Sequence, residues 1–265
     1  MVIHWASIMI EKPKEAKDRI ILALDTDNLK EARELVRELK DYVGYFKIGL
    51  PLIVNYGFEA FRLLEELGAK CYYDCKFHDI PHTVQKACIS LVKNNIDFFN
   101  VHIQGGSKMT SAVVKASRAA AKSLGVEPPT ILGISLLSSF GQRTLTKELC
   151  VDKNIEDYVL QLARVAKDSG LDGIVASADE AKRIRQCFKD EEGAEDFIIL
   201  CPATRPTWSS VNDQVRVDTP RDAILAGADF MVVGRPITTA DDRIGAAKLI
   251  IDEIQTALDE KDLDL

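Results

Sequence analysis

The sequence has few of the features that mark metal, thiol, nucleic-acid or membrane proteins. Its four histidines and six scattered cysteines form neither a C-x-x-C pair nor a zinc-ligand spacing, so the thiols are expected to be reduced. No apolar run reaches the roughly 18 residues of a membrane span, and no signal-peptide pattern opens the chain. The net charge of −7 argues against nucleic acid or anionic membranes as partners. A cytoplasmic protein without a metal site or a nicotinamide fingerprint is therefore expected.

What the sequence does contain is a regular alternation of apolar runs with helical patterns. The runs predict strands at residues 19–25, 45–49, 70–76, 97–102, 130–135, 173–177, 197–201 and 229–234. Nearly continuous apolar runs are typical of parallel strands that are buried on both faces. Eight strand–helix units about 30 residues apart predict an α/β fold, a single-domain (β/α)₈ TIM barrel. We expect residues 1–17 to form an N-terminal extension and residues 18–265 the catalytic barrel.

Amphipathic patterns predict the helices between these strands. They fall at residues 29–43, 52–67, 81–93, after 106, 155–169, 180–188, 220–226 and 241–258. The rhythm breaks at residues 202–218, a long loop that contains Arg205, Trp208, Gln214 and Arg216. Loops of this length in compact domains are often binding loops or lids, and we expect this one to hold a ligand.

Charged residues cluster at the ends of the first three predicted strands. The third strand ends in the run DCKFHDIP at residues 74–81, and the period of two places Asp74 and Lys76 on one face. Asp25 and Lys47 end the first two strands. The carboxyl ends of barrel strands form the active site, where His102, Ser135 and Ser138 are also expected. A row of alternating Asp and Lys suits an anion whose charge changes during a reaction.

The end of the eighth predicted strand has the features of a phosphate site. Phosphate groups in barrels commonly lie at the loops after strands seven and eight. Gly234 allows close approach of the backbone, and the Arg235 guanidinium can bind two phosphate oxygens at once. Together with Arg205 and Gln214 in the preceding loop, these residues predict binding of a phosphorylated small molecule.

Residues 74–83 closely resemble a family signature. The pattern D-x-K-x-x-D-I-P-x-T is similar to that of the orotidine 5′-monophosphate decarboxylases, and the similarity extends over about residues 19 to 240. Further matching segments include FKIG at 46–49, NVH at 100–102, DQVR at 213–216 and GRP at 234–236. The D-x-K-x-x-D core also occurs in Mg²⁺-dependent enzymes that act on sugar phosphates. Those relatives typically carry an acid on strand two, so Lys47 favours the orotidylate branch.

The resemblance implies a cofactor-independent lyase that converts orotidine 5′-monophosphate to UMP and CO₂, the last step of de novo UMP biosynthesis. It implies that Lys76 protonates C6 of the pyrimidine, with Lys47, Asp74 and Asp79 completing the catalytic set. Asp79 and Thr83 would reach the active site of a second subunit, which makes the enzyme a homodimer. The remaining substrate contacts implied are Asp25 and Lys47 at the ribose, Ser138 at the base, and Pro202, Arg205, Gln214, Gly234 and Arg235 around the phosphate.

Two segments depart from the family pattern. The chain has SLLSS at residues 135–139 where the family usually has T-x-L-T-S, so the hydroxyl groups are retained. In the phosphate loop, Ala203 stands where the family usually has Gly, which would cost about 1 kcal/mol if the backbone there has a positive φ. Two rival interpretations remain at this point: a Mg²⁺-dependent sugar-phosphate enzyme and a non-catalytic nucleotide-binding barrel.

Overall fold

A closed barrel of parallel strands forms the centre of the molecule, which we describe from a computed structural model for residues 12–208 and 218–263. Neighbouring strands follow the chain order, and the last pairs with the first. The strands are β1 Ile20–Leu24, β2 Tyr45–Ile48, β3 Cys71–Phe77, β4 Phe98–His102, β5 Thr130–Ile134, β6 Gly173–Val175, β7 Ile198–Cys201 and β8 Phe230–Val233. The predicted (β/α)₈ architecture is confirmed, and each strand lies within two residues of its predicted bounds.

Helices surround the barrel. They are α1 Leu29–Leu39, α2 Leu50–Tyr56, α3 Glu59–Glu66, α4 Pro81–Lys93, α5 Gly106–Leu124, α6 Ile155–Asp168, α7 Ala178–Phe188, α8 Pro220–Leu225, α9 Arg235–Thr238 and α10 Arg243–Leu263. The single helix predicted for residues 52–67 was wrong: the chain turns at Gly57, with φ of 55°, and divides α2 from α3. Within the described ranges, no helix is long and apolar enough to span a membrane.

The strands separate two apolar layers. One lies between the strands and the helices, and the other fills the interior of the barrel. In the interior, the Phe98 ring packs edge-on against Tyr45 at 4.7 Å and against Phe230 at 5.3 Å between centroids. Burial of such a side chain contributes about 1.5–3 kcal/mol. These rings fill the lower part of the barrel, so the space above them opens at the carboxyl ends of the strands.

The alternation of side chains along each strand places the predicted charged residues above this interior core. Ile21 and Ala23 of β1 point inward, and Asp25 continues the same face just beyond the strand. In the register of the sheet, Lys47 of β2 pairs with Ala23 on one side and with Tyr72 of β3 on the other. The polar residues at the carboxyl ends of β1, β2 and β3 therefore lie in one layer, above the apolar interior of the barrel.

A second set of carboxylates lies at the opposite end of the barrel, the base. Asp97, Asp172 and Asp229 directly precede β4, β6 and β8. Each accepts a hydrogen bond from a backbone N–H of the strand before it, in turn from Cys71 at 2.7 Å, Ile131 at 2.8 Å and Ile199 at 2.8 Å. These three base aspartates thus tie neighbouring strands together.

Candidate active site

A cavity of about 630 Å³ opens at the carboxyl ends of the strands. Its walls come from opposite sides of the barrel, from β1 to β3 and from the loops after β5, β7 and β8. The predicted site residues on its wall are Asp25, Lys47, Asp74, Lys76, Ser138, Pro202, Arg205, Gly234 and Arg235. Nine of the predicted residues, far apart in sequence, are therefore brought to one cavity.

The four charged residues from the first three strands form a continuous row, which we call the charge row. Lys47 Nζ lies 2.8 Å from Asp25 Oδ1 and 3.6 Å from Asp74 Oδ2. On its other side, Asp74 accepts a hydrogen bond from Lys76 Nζ at 2.6 Å through Oδ1. Negative and positive groups alternate along the row, so each charge, including the buried Asp74, has an opposite neighbour.

Asp74 is the centre of the charge row. Its side chain is only 15% exposed, and this burial by itself raises the pKa of the carboxyl. The positive charges of Lys47 and Lys76, with hydrogen bonds from Lys76 and Asn100, outweigh burial and bring the pKa below its ordinary value. Asp74 is therefore a carboxylate at neutral pH, and its negative charge faces the cavity.

Lys76 has a backbone that few residues other than glycine adopt. Its φ is 49°, and the pairing of β3 with β4 is irregular between Tyr73 and Phe77. Left-handed backbone at a residue with a side chain costs about 1–2 kcal/mol. Such strain persists where surrounding contacts fix it, and it is common at functional sites. The irregular end of β3 turns the Lys76 ammonium toward Asp74 and the cavity.

A family model described as "Orotidine 5'-phosphate decarboxylase / HUMPS family" matches residues 18–250. The chain belongs to this family. Among curated proteins, the orotidine 5′-phosphate decarboxylase of Syntrophotalea carbinolica is 41% identical over 246 residues, 93% of this chain and 98% of the relative. The enzyme of that name from Moorella thermoacetica is 40% identical over 240 residues, 91% of this chain and 93% of the relative.

Solved structures show the same similarity. The orotidine 5′-phosphate decarboxylase of Lactobacillus acidophilus matches with a TM-score of 0.77 and 31% identity, covering 92% of this chain and 99% of that one. An uncharacterized conserved protein from Geobacillus kaustophilus matches with a TM-score of 0.75 and 30% identity, covering 89% and 99%. The resemblance seen in residues 74–83 therefore extends to the whole barrel.

The loops after β7 and β8 form the expected phosphate end of the cavity, and β8 pairs with β1, the strand that leads to Asp25. A Cβ atom at Gly234 would lie 3.5 Å from the Ala23 side chain and 3.9 Å from Asp25 Oδ2, which is ordinary contact distance. Arg205 is buried, and its backbone N–H donates to the carbonyl of Asp218 at 2.9 Å. Arg235 is exposed at the start of α9. The predicted Gln214 lies outside the described residues, as does Arg216.

Ala203 in the loop after β7 does have the positive φ that its place in the sequence suggested. Its φ is 60°, and it lies on the cavity wall between Pro202 and Thr204. The loop thus keeps a left-handed turn although it has a methyl side chain where the family usually has none. This is the conformation for which a cost of about 1 kcal/mol was expected.

Two of the polar residues expected at the strand ends do not lie on the cavity wall. Ser135 is buried, and its hydroxyl donates to the carbonyl of Val175 at 2.8 Å, so it joins β5 to β6. His102 stacks beside His78, with 5.5 Å between ring centroids. Burial, followed by the nearby His78 and Lys76, lowers the pKa of His102 to about 4. Its imidazole is therefore neutral at physiological pH.

Asp79 and Thr83 are exposed and do not line the cavity of their own chain. They stand on either side of Ile80 and Pro81, where β3 gives way to α4. Ile80, between them, presents a large apolar side chain that is 67% exposed. These residues are therefore presented outward from the rim of the site.

Sequence reasoning gave no role to Asn100, which contacts the centre of the charge row. It is fully buried in β4, and its Nδ2 donates to Asp74 Oδ1 at 2.8 Å and to the Tyr72 hydroxyl at 2.6 Å. The signal in the sequence was an amide inside the apolar run of residues 98–101. Buried amides are normally hydrogen-bonded, so an isolated one in a strand indicates a polar partner on the next strand.

Proposed function

We propose that the protein decarboxylates orotidine 5′-monophosphate to UMP and CO₂ without a cofactor, as the last step of UMP biosynthesis. The observation that carries this proposal is the position of Lys47, with its ammonium between the carboxylates of Asp25 and Asp74. Its side chain is only 11% exposed. The Lys47 ammonium is therefore held between the two carboxylates of the charge row.

The same observation separates the two enzyme branches that share the D-x-K-x-x-D core. A Mg²⁺-dependent sugar-phosphate enzyme needs several oxygen ligands that converge on the ion. Here Lys47 already pairs with Asp25 and Asp74, and Lys76 takes up the second oxygen of Asp74. These carboxylates are neutralised by ammonium groups, which favours the metal-independent reaction.

We propose that the substrate spans the cavity from its phosphate to its base. The guanidinium groups of Arg205 and Arg235 and the backbone near Gly234 suit a phosphate dianion, with Gln214 as a further contact. Pro202 would lie beside it, and Ser138 would hydrogen-bond the pyrimidine. Asp25 and Lys47 would bind the ribose hydroxyls. Binding energy from the phosphate, far from the reacting carbon, would then be available to position the base.

The charge row supplies the chemistry in this proposal. The substrate carboxylate would lie near Asp74, and the repulsion between the two anions is relieved as CO₂ leaves. The bond from C6 to the carboxylate breaks and its electron pair stays on C6, which takes a proton from the Lys76 ammonium. Lys76 is left as an amine and regains its proton from water. Its positive charge opposes the negative charge at C6 most strongly in the transition state.

We further propose that the catalytic unit is a homodimer in which Asp79 and Thr83 enter the partner's site. Their exposure beside the apolar Ile80, outside their own cavity, supports this arrangement. In an isologous dimer, each such loop would contact the other subunit's site. Asp79 would then add a second carboxylate to the charge row across the interface.

We propose a cytoplasmic location and retain the division into an extension of residues 1–17 and a barrel of residues 18–265. The six cysteines are free thiols, as is typical of reducing compartments. In the described part of the extension, Lys12 Nζ lies 2.9 Å from Asp229 Oδ1 at the base of the barrel. This end lies opposite the cavity, so we assign residues 12–17, the described part of the extension, no part in catalysis.

The decisive experiment is to mix purified protein with orotidine 5′-monophosphate in buffer that contains EDTA and to follow the orotate absorbance. We expect rapid loss of the chromophore with formation of equal amounts of UMP and CO₂. Turnover of a sugar phosphate that requires Mg²⁺ would instead establish the rival enzyme. Binding of UMP without turnover of orotidylate would establish a nucleotide-binding barrel.

The shared site is tested by mixing Lys76→Ala with Asp79→Ala subunits. Each hybrid dimer would contain one intact site and one that carries both changes. A mixture of inactive parents should therefore recover about a quarter of the wild-type activity. A mixture as inactive as its parents, with subunit exchange shown by mass spectrometry, would contradict the shared site.

A further inference from the structure

We propose that Asn100 is a positioning residue, whose side-chain amide holds the Asp74 carboxylate and the Lys76 backbone in the geometry that the reaction needs. The proposal rests on the proposed function, because it concerns the same charge row. Asn100 is fully buried behind the cavity wall. It would therefore act on the substrate only through Asp74 and Lys76.

All of the polar atoms of the Asn100 amide are used. The two hydrogens of Nδ2 go to Asp74 Oδ1 at 2.8 Å and to the Tyr72 hydroxyl oxygen at 2.6 Å. Oδ1 accepts the backbone N–H of Lys76 at 2.6 Å. Reversing the amide would set its oxygen against the carboxylate and its NH₂ against an N–H donor. The partners therefore specify one orientation of the side chain.

The two ends of the amide act on the two catalytic groups that meet in the site. Asp74 Oδ1 receives both Asn100 and Lys76 Nζ, which leaves Oδ2 toward Lys47. This second donor prevents rotation of the carboxylate about its last bond. The bond to the Lys76 N–H holds the residue whose φ is 49°. Asn100 thereby fixes the orientation of the Asp74 carboxylate. It also fixes the backbone position from which the Lys76 side chain extends.

The first test is the kinetics of Asn100→Ala in the full-length protein. We expect kcat to fall by about 10- to 100-fold and KM to stay within about threefold, since a displacement near 1 Å at reacting groups has effects of that size. The residues proposed to bind phosphate and ribose are unchanged, so substrate affinity should survive. A purely structural role would lower the melting temperature and leave kcat per folded molecule unaltered.

Asn100→Asp gives a second, nearly isosteric test. Its carboxylate can still accept the Lys76 N–H, but it offers Asp74 a hydrogen only when protonated. The groups that face position 100 are Tyr72, Asp74, Cys75 and Lys76 of β3, with Lys47 beyond Asp74 and Leu132 of β5 on the other side. The carboxyl groups of Asp74 and the introduced aspartate would share one proton at low pH and lose it as the pH rises, and with it the hydrogen bond between them. The ratio of variant to wild-type kcat should therefore fall about tenfold or more from pH 5 to pH 8.

Val101→Ala is the matched control, since Val101 is equally buried in the same strand but belongs to the layer beneath the helices. It should lower stability without changing kcat or its pH profile. If both Asn100 variants, folded by circular dichroism, keep wild-type kcat at every pH, the positioning role is wrong. If Asn100→Ala does not fold, the pH profile of Asn100→Asp decides. A wild-type protein that fails to turn over orotidylate would overturn the proposed function, and this role with it.

Discussion

The two ends of the barrel use buried aspartates in opposite ways. At the base, Asp97 and Asp172 accept backbone N–H groups, and burial raises the pKa of each in spite of nearby cations. At the cavity end, burial also acts to raise the pKa of Asp74, but Lys47 and Lys76 outweigh it and the pKa is lowered. Burial alone thus does not set the pKa of a carboxyl; at Asp74 the charges of two lysines and the hydrogen bonds from Lys76 and Asn100 outweigh it.

This difference indicates a division of labour along the barrel axis. The base aspartates use their oxygens to join strands, so their loss should be felt in folding. Asp74 accepts hydrogen bonds from Lys76 and Asn100, forms an ion pair with Lys47 at 3.6 Å and contributes its charge to the cavity. A carboxylate held in this way is suited to act on a ligand. The account therefore predicts that stability and activity can be damaged separately.

The largest effect is expected from Lys76→Ala at the cavity end. Removal of the proposed general acid should lower kcat by about 10⁴-fold. Loss of its ion pair with Asp74 should lower the free energy of unfolding by about 1 kcal/mol or less, because the Lys76 side chain is 36% exposed. Steady-state kinetics and urea denaturation measure the two quantities on one preparation. Lys70→Ala is the control, because Lys70 is exposed just before the same strand and its ammonium lies over the Tyr45 ring, 5.3 Å from the ring centroid. A Lys76→Ala protein with near wild-type kcat would contradict the assignment.

The opposite result is expected from Asp172→Ala at the base. Asp172 accepts the N–H of Ile131 at 2.8 Å and pairs with Arg118 at 2.8 Å. Its loss leaves a buried donor and a cation without their acceptor, so the free energy of unfolding should fall by about 2–4 kcal/mol with kcat unchanged. Asp168→Ala, at the exposed end of α6, should stay within about 0.5 kcal/mol of wild type in urea denaturation. A lower kcat in folded Asp172→Ala would contradict the proposed division between stability at the base and activity at the cavity end.

The pH dependence of stability should also have opposite signs at the two ends. Because the pKa of Asp172 is raised on folding, its contribution is complete below the ordinary value near 3.9 and declines as the pH rises through the folded-state pKa. The contribution of Asp74, whose pKa is lowered, is present above that ordinary value and is lost as the pH falls. The stability gaps between wild type and Asp172→Asn or Asp74→Asn, measured in urea from about pH 3 to 7, should therefore change in opposite directions. If both stability gaps change in the same direction with pH, the contrast between the aspartates at the two ends of the barrel is wrong.

The smallest effect is expected at Ala203. Glycine tolerates its φ of 60° without the Cβ clash, so Ala203→Gly should raise the free energy of unfolding by about 0.5–1 kcal/mol. Ala226→Gly is the matched control, since Ala226 has right-handed helical backbone at the end of α8. There the change should destabilise by a similar amount, about 0.5–1 kcal/mol. Loss of stability in both variants would show that Ala203 is not strained.

Much of this architecture could be predicted from the sequence because it depends on local patterns. Parallel strands buried on both faces leave apolar runs, which predict the barrel. The period of two predicted that Asp74 and Lys76 share a face, but in the structure β3 is irregular there and Lys76 has a φ of 49°. The break at Gly57 was missed because the helical pattern continues through it. Asn100 was missed because its partners come from the register of β3 against β4. Asp79 is exposed outside the cavity of its own chain, and its proposed role across a dimer interface stays a prediction.

The base aspartates show the same limit of sequence reasoning. Asp97 and Asp229 were included in predicted strands without any role, and Asp172 was not singled out. Each precedes an apolar run, where an acid normally marks the exposed start of a strand. Their partners are backbone N–H groups of the neighbouring strand, which have no signature in the sequence. Only the closed sheet brings donor and acceptor together.

Lys47 and Lys76 hold the pKa of Asp74 below its ordinary value against the effect of burial. The most direct test is ¹³C NMR titration of the Asp74 carboxyl in the free protein. The account predicts a midpoint below the ordinary aspartate value of about 3.9, and a higher midpoint in Lys47→Met. A midpoint at or above the ordinary value in the wild-type protein would mean that burial prevails, and the charge row could not act as proposed.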